Sequence, residues 1–400
     1  MITKIINPYD IVFSKNPVYF KLQITGAYIL FEIYDDVKLI TTLDAYPDAS
    51  GYVTIDPRRI LDDMVDYDMP DYQSGTITDC ENVISIFLIY AKEYDSSNNI
   101  IDDQLLFPAG DWYRVVKGGI SFEEYPLAGF FQTFLSTNKY FLTWNKTNIL
   151  DVNQQHYLYF HNYTGADIAQ VDLYVYRKFT DGTDDEGIIV SKSNFNKRNI
   201  FCFPAGVSEL GLEALNPTKT IEYYIVTLKN GVLVISEEIT FVVDHKYRRN
   251  TRHFLYTNSL GGVDSFRAYG EADYEYSVEK NMFMKNVPYD YQPHDGQYAE
   301  QAFTEKEEIT VASGFKTATE LDRFREVLLS EIVYEDINDR FLRVSIDKKS
   351  VVFWKDNDNL YNIKFKYKYN FDRRVYTPEQ LDALFTASGI FSNIFEHIFL

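Results

Sequence analysis

The stretch Phe254–Tyr269, with the sequence FLYTNSLGGVDSFRAY, constrains the fold more than any other part of the chain. Its two ends are aromatic and β-prone, and the turn formers Asn258 and Ser259 and the glycine pair Gly261-Gly262 lie between them. Adjacent glycines between apolar runs indicate a tight turn or a close backbone approach, because glycine adopts positive φ without steric cost. No catalytic group is present, so the stretch predicts an architectural element made of two strands and a turn.

Composition indicates a β-rich protein with a substantial core. Of 400 residues, 46% are hydrophobic and 16% are aromatic, and the chain contains 30 Phe and 33 Tyr. Aromatic side chains favour strands, and tyrosine also suits protein interfaces because it combines apolar area with a hydroxyl group. The length exceeds what one core normally serves, so two to four domains are expected.

The formal net charge of −20 disfavours some classes of function. Affinity for a phosphate backbone comes from Lys and Arg, so general nucleic-acid binding is not expected. The charge either keeps the chain soluble or repels DNA from the wall of a conduit. Residues 1–13 lack the apolar core of a signal peptide, and no run of about 18 apolar residues appears, so neither secretion nor a membrane span is expected.

Turn signals and strand patterns divide the chain into four segments. Residues 1–119 and 120–245 each predict an Ig-like β-sandwich domain, with short strands separated by polar turns. Residues 246–376 predict a mixed α+β domain, and residues 377–400 a C-terminal helical segment. The fold class expected is therefore mainly β, with Asn230-Gly231 in the second segment as the strongest hairpin signal.

The third segment combines long strands with one helix. Strands are expected at Tyr274–Met284 and Phe303–Val311, with a loop at Pro288–Gln297 between them. A capping-box pattern at Thr317 predicts that a helix begins there. At the end of the segment, Leu360–Phe371 alternates apolar or aromatic residues with lysines, which predicts a strand with one solvated face.

The last segment is unusually apolar. Thr377-Pro378 is typical of a helix start, and apolar pairs then recur at helical spacing to the end of the chain. Such a stripe has to be buried, either on its own domain or on a neighbouring subunit. The candidate partner-docking residues are Ile390, Phe391, Ile394, Phe395, Ile398 and Phe399.

Nothing in the sequence predicts a metal or a cofactor. Cys80 and Cys202 are distant in sequence and are expected in different domains as reduced, buried thiols. His156 and His161 are five residues apart in a strand-like stretch, which places them on opposite faces and disfavours a metal pair. The acidic stretch 181–186 does not match a calcium-binding loop, so a polar turn is favoured over a calcium site.

The motifs of common enzyme classes are also missing. The sequence contains no GxSxG, Walker A or GxGxxG pattern, and Gly118-Gly119 and Gly261-Gly262 are isolated pairs. We therefore predict that the protein is not an enzyme. Trp112, Trp144 and Trp354 could stack on sugars, but they lie in apolar stretches, which favours packing in the core.

Three stretches carry a resemblance to a known group of proteins. Residues 254–266 are similar to a signature of an aromatic residue, Asn, x, x, Gly-Gly, x, Asp, x, Phe. Residues 317–351 look like a helix followed by a short extended segment and a hairpin, and residues 16–22 and 46–61 resemble a leading β-sandwich with a Pro-Asp-x-x-Gly turn. Proteins with these features are tail-associated virion proteins of Bacteroidota phages and prophages, which this chain resembles.

The resemblance implies a structural component of a virion tail, such as a ring, adaptor, hub or baseplate part. It implies several copies that contact one another and other tail proteins, and it supplies neither catalytic residues nor a cofactor. The residues themselves leave open a second function, that of a receptor- or glycan-binding β-sandwich protein at a tail tip.

Overall fold

The computed structural model describes residues 2–72, 74–106, 112–121, 123, 130–163, 166–316, 318–337, 340–347 and 361–371. The protein is mainly β, with 52% strand and 8% helix arranged in several sheets, which confirms the predicted class. The chain divides into two compact units: unit 1 contains residues 1–245 and 257–264, and unit 2 contains residues 246–256 and the part described after 264. The domain boundaries at 119/120 and 376/377 stay predictions. Over the described ranges, no helix has both the length and the apolar character needed to cross a membrane.

The first core of unit 1 is built from the N-terminal strands and one short helix. The elements are β1 Thr3–Ile6, β2 Ile11–Phe13, β3 Phe20–Gln23, β4 Tyr28–Asp35, β5 Lys38–Ala45, β6 Tyr52–Ile55, α1 Arg58–Asp62, β7 Thr78–Asp79, β8 Ile84–Tyr94, β9 Ile100–Leu106 and β10 Tyr113–Val116. One sheet has the order β1-β3-β6, and a second has the order β2-β10-β8-β4-β5 with β9 paired to β8. Both sheets contribute to one hydrophobic core.

Period-two alternation explains how these strands share a core. In β4, Ile29, Phe31 and Ile33 are fully buried while the residues between them are partly exposed. Tyr113 joins the two sheets, since its ring stacks on Phe87 of β8 and meets Phe20 of β3 edge-on, at 5.3 Å in both cases. Offset and edge-on aromatic pairs of this kind add to the burial of apolar area.

The second core of unit 1 follows in sequence. Its elements are a π-helical turn Phe130–Leu135, α2 Ser136–Asn138, β11 Thr147–Leu150, β12 Tyr157–His161, β13 Ile168–Phe179, β14 Asp184–Phe195, β15 Ile200–Pro204, α3 Leu212–Leu215, β16 Ile221–Asn230, β17 Leu233–Val234 and β18 Ile239–Val243. One sheet has the order β11-β18-β16-β13-β14 with β17 on β16, and the other has the order β12-β15-β7. The two sheets again enclose a single core.

Asn230-Gly231 forms the expected hairpin turn, with Asn230 paired to Leu233 and Gly231 at φ +59°. The aromatic residues of Tyr140–Trp144 predict a strand, but this prediction is wrong, because the stretch is irregular and the strand begins only at Thr147. The Phe141 N–H donates to the Glu237 carboxylate at 2.8 Å rather than to a neighbouring strand. The Phe141 ring packs in the second core of unit 1.

The two cysteines contradict the expectation that they lie in different domains. The short strand β7 pairs with β15, with Phe201 opposite Asp79 and Cys202 opposite Thr78. The N–H of Cys80, next along the chain, donates to the Ile200 carbonyl at 3.0 Å. Both thiols are reduced and buried, as predicted. Sequence distance is a poor guide here, because β7 belongs to the sheet that β12 and β15 form.

The turn between the two β-prone halves of residues 254–269 belongs to unit 1. Asn258, which is 1% exposed, organises it through four hydrogen bonds. Its side-chain oxygen accepts from the Leu260 and Gly262 N–H groups at 3.0 and 2.9 Å, and its amide donates to the Leu142 carbonyl at 2.8 Å and to Asp264 at 3.0 Å. Thr143 also donates to the buried Asp264 carboxylate, so the polar groups of this turn satisfy one another.

The glycines of this turn permit a close backbone approach. Gly261 has φ +91°, and a Cβ added there would overlap the Lys117 carbonyl oxygen. Gly118 has φ +119°, and a Cβ there would overlap the Ser259 carbonyl oxygen. The Gly119 N–H donates to the same Ser259 carbonyl at 2.7 Å. The two glycine pairs that the sequence shows as isolated therefore face each other across one contact.

Over its described residues, unit 2 is a seven-stranded sheet with one α-helix. Its elements are β19 Arg252–Thr257, β20 Val263–Ala268, β21 Ala272–Met284, a 3₁₀ turn Pro293–Asp295, β22 Tyr298–Lys316, α4 Ala318–Leu329, β23 Val333–Ile337, β24 Arg340–Ile346 and β25 Tyr361–Tyr369. The strand order is β20-β19-β23-β24-β25-β22-β21. The predicted strands and helix are confirmed, and Ile363, Phe365 and Tyr367 are buried as their alternation with lysines indicates. Phe324 of α4 packs on Phe266 and Phe365 at 5.1 and 5.0 Å.

Candidate interaction surface

The docking residues predicted from the sequence are Ile390, Phe391, Ile394, Phe395, Ile398 and Phe399, and all of them lie outside the described residues. Trp354 and the Asp356–Asn359 turn also lie outside them. The candidate surface in the described part of the chain is a different one, the hairpin formed by β21 and β22 at the edge of the unit 2 sheet.

This hairpin extends well beyond its neighbouring strand. β21 pairs with β22 from Ala272 opposite Val311 to Met284 opposite Tyr298, whereas β25 pairs with β22 only from Ile309 onwards. Residues 275–307, which we call the arm, therefore form a two-stranded ribbon with no third strand among the described residues. At about 3.3 Å per residue, β21 alone spans about 40 Å. A two-stranded ribbon is marginally stable by itself, so a partner is expected to complete it.

The two faces of the arm have different chemistry. Tyr276, Val278, Met282 and Met284 lie on one face of β21 and form what we call the apolar row, with Lys280 between Val278 and Met282. Asp273, Glu275, Ser277, Glu279, Asn281 and, near the tip, Phe283 occupy the positions between them, on the opposite face. This alternation is typical of a strand with one buried face. The arm therefore carries the pattern of a buried strand at positions that are exposed in unit 2.

The apolar row continues the core-facing side of the sheet. Tyr274 lies opposite the buried Ile309, and Ala272 lies opposite the buried Val311, so the next alternate residues of β21 share their face. Helix α4 covers that face near Phe266 and Phe365. Along the arm, however, Tyr276 is 63% exposed, Val278 41%, Met282 58% and Met284 70%. This side of β21 thus extends past the helix with its apolar row exposed, beside the ion pair that Lys280 forms with Glu300.

The tip of the arm adds two more exposed aromatic rings. Lys285 and Gln297 close the end of the ladder through a backbone hydrogen bond of 2.8 Å. Beyond them, Gln292 and Asp295 hold the 3₁₀ turn by a reciprocal capping box. Tyr289 and Tyr291 are exposed on this tip. Tyrosine at an ordered, exposed tip suits an interface, since it buries apolar area at a small entropic cost.

Charged pairs hold the base of the arm to the sheet. Lys366 of β25 contacts Glu308 at 2.8 Å and Glu275 at 3.1 Å, and the hydrogen bonds to these carboxylates raise the pKa of Lys366. Further out, Lys306 pairs with Glu279 at 3.0 Å, across the two strands. Exposed pairs of this kind contribute little to stability, but they set the register of the ribbon.

A buried carboxylate lies where the core meets the arm. Glu335 is 2% exposed, and its oxygens accept from the Tyr367 hydroxyl at 3.0 Å and from the Tyr369 hydroxyl at 2.7 Å. Burial raises the pKa of Glu335, and the tyrosine hydrogen bonds oppose the shift. Arg252 stands 3.8 Å from this carboxylate and donates to the Tyr274 hydroxyl at 2.7 Å. The cluster therefore orients the first tyrosine of β21 at the base of the arm.

The other candidate sites do not form catalytic or metal-binding arrangements. No group of three or more metal-ligating side chains occurs within the described ranges. In the acidic turn, Asp185 pairs with Arg177 at 2.7 Å and Asp181 with Lys219 at 3.6 Å, so these carboxylates neutralise neighbouring cations. An open cavity of about 460 Å³ near His245 is lined mainly by polar residues of the 213–220 loop.

The exposure of the tryptophans is a further correction. Trp112 and Trp144 are expected in the core, but they are 44% and 46% exposed. Neither lies in a strand. The Trp144 indole N–H donates to the Ser259 hydroxyl at 2.8 Å, which holds one edge of the ring on the 257–264 turn, and Phe130 contacts the ring at a centroid distance of 6.1 Å. The prediction that Trp144 is buried was wrong because the strand predicted around Trp144 does not form.

His156 and His161 are core histidines, at 1% and 0% exposure. A ring nitrogen of His161 is 3.0 Å from the Arg198 carbonyl, and the ring packs edge-on against Tyr163 at 4.4 Å. Burial lowers the pKa of His161 from 6.5 to about 3. The imidazole is therefore held neutral inside unit 1 over most of the accessible pH range.

We expect unit 1 to lose stability in acid because of His161. The unfolded chain binds a proton at His161 near pH 6.5 whereas the folded chain does so only near pH 3, so stability is complete above pH 6.5 and falls between these values. The slope from this group approaches 1.4 kcal/mol per pH unit between about pH 6 and pH 4. His161→Phe should flatten the dependence of the free energy of unfolding on pH, measured by urea denaturation, and His294→Phe on the exposed tip is the control. An unchanged slope in His161→Phe would contradict the assignment.

No protein-family model matches this chain, and a comparison with curated proteins finds no significant match.

Proposed function

We propose that this chain is a structural component of a phage virion tail, a ring, adaptor, hub or baseplate part that assembles in several copies and connects neighbouring tail proteins. The observation that carries the proposal is the arm, a long hairpin whose apolar row is exposed on the chain by itself. Large apolar side chains that are exposed on one side of a strand mark an interaction surface. The sequence resemblance to tail-associated proteins gives that surface its biological setting.

The occupant that we propose for the apolar row is a neighbouring copy of the same chain. The outer edge of β21 has no strand partner in the described part of unit 2, and such an edge is a template for pairing with another chain. On the opposite face of the arm, Glu275 and Glu279 already pair with Lys366 and Lys306 of the same chain. The proposed contact between copies therefore rests on the strand edge and the apolar row. A head-to-tail contact of this type generates rings when its rotation closes.

The two sheet pairs of unit 1 fit the same proposal as Ig-like β-sandwich domains, since in each case two sheets enclose one core. The net charge of −20 supports a place in a large soluble particle, and it also suits a wall that DNA passes. The apolar segment 377–400 would supply a further contact, with a neighbouring subunit or with the chain's own unit 2.

The proposal predicts that the protein is a constituent of the particle. Quantitative mass spectrometry of purified virions from the phage or prophage that encodes this chain should detect it in several copies per particle. Gold-labelled antibody against it should decorate tails rather than capsids in electron micrographs. Purified tails that lack the protein, or a protein found only in infected cells and never in particles, would contradict the proposal.

A second function, glycan or receptor binding at a tail tip, is favoured by the exposure of Trp112 and Trp144. An exposed indole ring can stack on a sugar face, and Trp144 is already oriented by Ser259. A glycan array distinguishes this function from the first, because binding should appear with the wild-type chain and disappear with Trp144→Ala.

A further inference from the structure

Two thiols that the sequence separates by about 120 residues meet in one sheet of unit 1. The antiparallel register places Cys202 opposite Thr78, and the backbone of Cys80 is bonded to that of Ile200. Residues two apart on a strand point to the same face, so Cys80 and Cys202 lie diagonally adjacent on one face. The Cα atoms of diagonal neighbours are about 7–8 Å apart, so a bond between these two short side chains requires a small shift of β7.

The surroundings of the pair are closed to solvent. Both cysteines are 2% exposed. The hydrogen bond with Cys202 raises the pKa of the Cys80 thiol, and burial raises it further, which keeps this thiol protonated. Tyr159 stands beside them, with its hydroxyl donating to the Asp68 carbonyl.

We propose that Cys80 and Cys202 are a redox-responsive pair that closes to an intramolecular disulfide when the protein meets an oxidising environment. The oxidant is a small disulfide such as oxidised glutathione. One cysteine sulfur attacks it and releases the first glutathione thiol, and the second cysteine sulfur attacks the mixed disulfide and releases the other. Two cysteine protons pass to the released thiolates, the protein loses two electrons, and the oxidised glutathione gains them.

At this location the disulfide would hold two strands together. Strand β7 is only two residues long and is held to β15 by few hydrogen bonds, so the disulfide would clamp it. Cytosolic thiols stay reduced whereas extracellular ones oxidise, so the clamp would be open in a reducing environment and closed in an oxidising one. Because both thiols are buried and the pKa of the Cys80 thiol is raised, the reaction in the folded protein is slow and depends on brief opening of β7. This inference does not depend on the proposed function.

The test compares the full-length protein refolded, or incubated for days, in buffers of oxidised and of reduced glutathione. Mass spectrometry of non-reduced digests should show a peptide pair joining Cys80 and Cys202, with a loss of two hydrogens and no glutathione adduct. Closing a loop of this length should raise Tm by about 10 °C relative to the reduced form. Cys80→Ser and Cys202→Ser are the controls, and neither should show the Tm difference.

The result that would overturn the inference is also measured on the wild-type chain. If oxidised glutathione leaves both thiols free, or forms only glutathione adducts on them, while the urea-unfolded chain is oxidised under the same conditions, the folded pair is not poised to close. A closed disulfide that lowers Tm would equally contradict the role of a clamp. Both of these outcomes are observed with the wild-type chain, so they do not require that a variant folds. They also do not depend on whether the chain assembles.

Discussion

Gly261→Ala should lower the free energy of unfolding of unit 1 by about 4 kcal/mol, the largest effect that we expect from a single methyl group in this chain. Two costs add. The backbone at φ +91° is unfavourable for any residue with a Cβ, and the new carbon would overlap the Lys117 carbonyl, which cannot move without disturbing the Gly118–Ser259 approach. Trp144 reports on this turn through its hydrogen bond to Ser259, so urea denaturation followed by tryptophan fluorescence is the measurement.

Gly231→Ala is the matched control, because Gly231 has φ +59° and no atom lies within 4 Å of an added Cβ. It carries the cost of positive φ alone, which is about 1 kcal/mol. A difference between the two variants of less than 1 kcal/mol would mean that the close approach of the two glycine pairs adds little to the stability of unit 1.

Val278→Asp should weaken self-association by about 100-fold while leaving unit 2 folded. Val278 is at the centre of the apolar row, where a new charge would have to be buried against the neighbouring copy. Losses of 2 to 4 kcal/mol are typical at the centre of an interface, which is about 30- to 1,000-fold in Kd. Sedimentation velocity over a range of concentrations gives the Kd, and circular dichroism checks the fold.

Ser277→Asp is the control for this prediction. Ser277 is the next residue on the same strand, is exposed, and lies on the polar face of the arm. The same new charge at this position should leave the Kd within about threefold of the wild-type value. Equal weakening by the two variants would indicate that net charge, and not the apolar row, controls association.

The sequence predicted those parts of the fold that depend on local chemistry. The hairpin at Asn230-Gly231, the long strands at Tyr274–Met284 and Phe303–Val311, and the alternation around Phe365 all formed as expected. Each depends on turn residues or on period two, which a short window of sequence contains. The failed strand at Tyr140–Trp144 had the right residue types, but Glu237, almost 100 residues later, accepts a backbone N–H there.

The features that carry the function could not be predicted because they depend on partners distant in the chain. The alternation of β21 indicates one buried face, and only the pairing limits of β25 show that nothing in the described part of unit 2 covers that face. The meeting of Cys80 with Cys202 requires β7 to join β15. Likewise, Gly118 and Gly261 are far apart in the sequence, and the close approach of their backbones appears only in the folded chain.

The central claim is that the apolar row packs on a neighbouring copy, and photo-crosslinking from position 278 tests it most directly. A photoreactive amino acid replaces Val278, and it replaces Ser277 in a parallel sample. Each photoreactive variant is prepared as a mixture of chains with ordinary nitrogen (light) and chains uniformly labelled with heavy nitrogen (heavy). We predict linked peptides that join a light chain to a heavy chain from position 278, and few from position 277. If the peptides linked at position 278 come only from single chains, including links to residues 377–400 of the same chain, the claim is wrong.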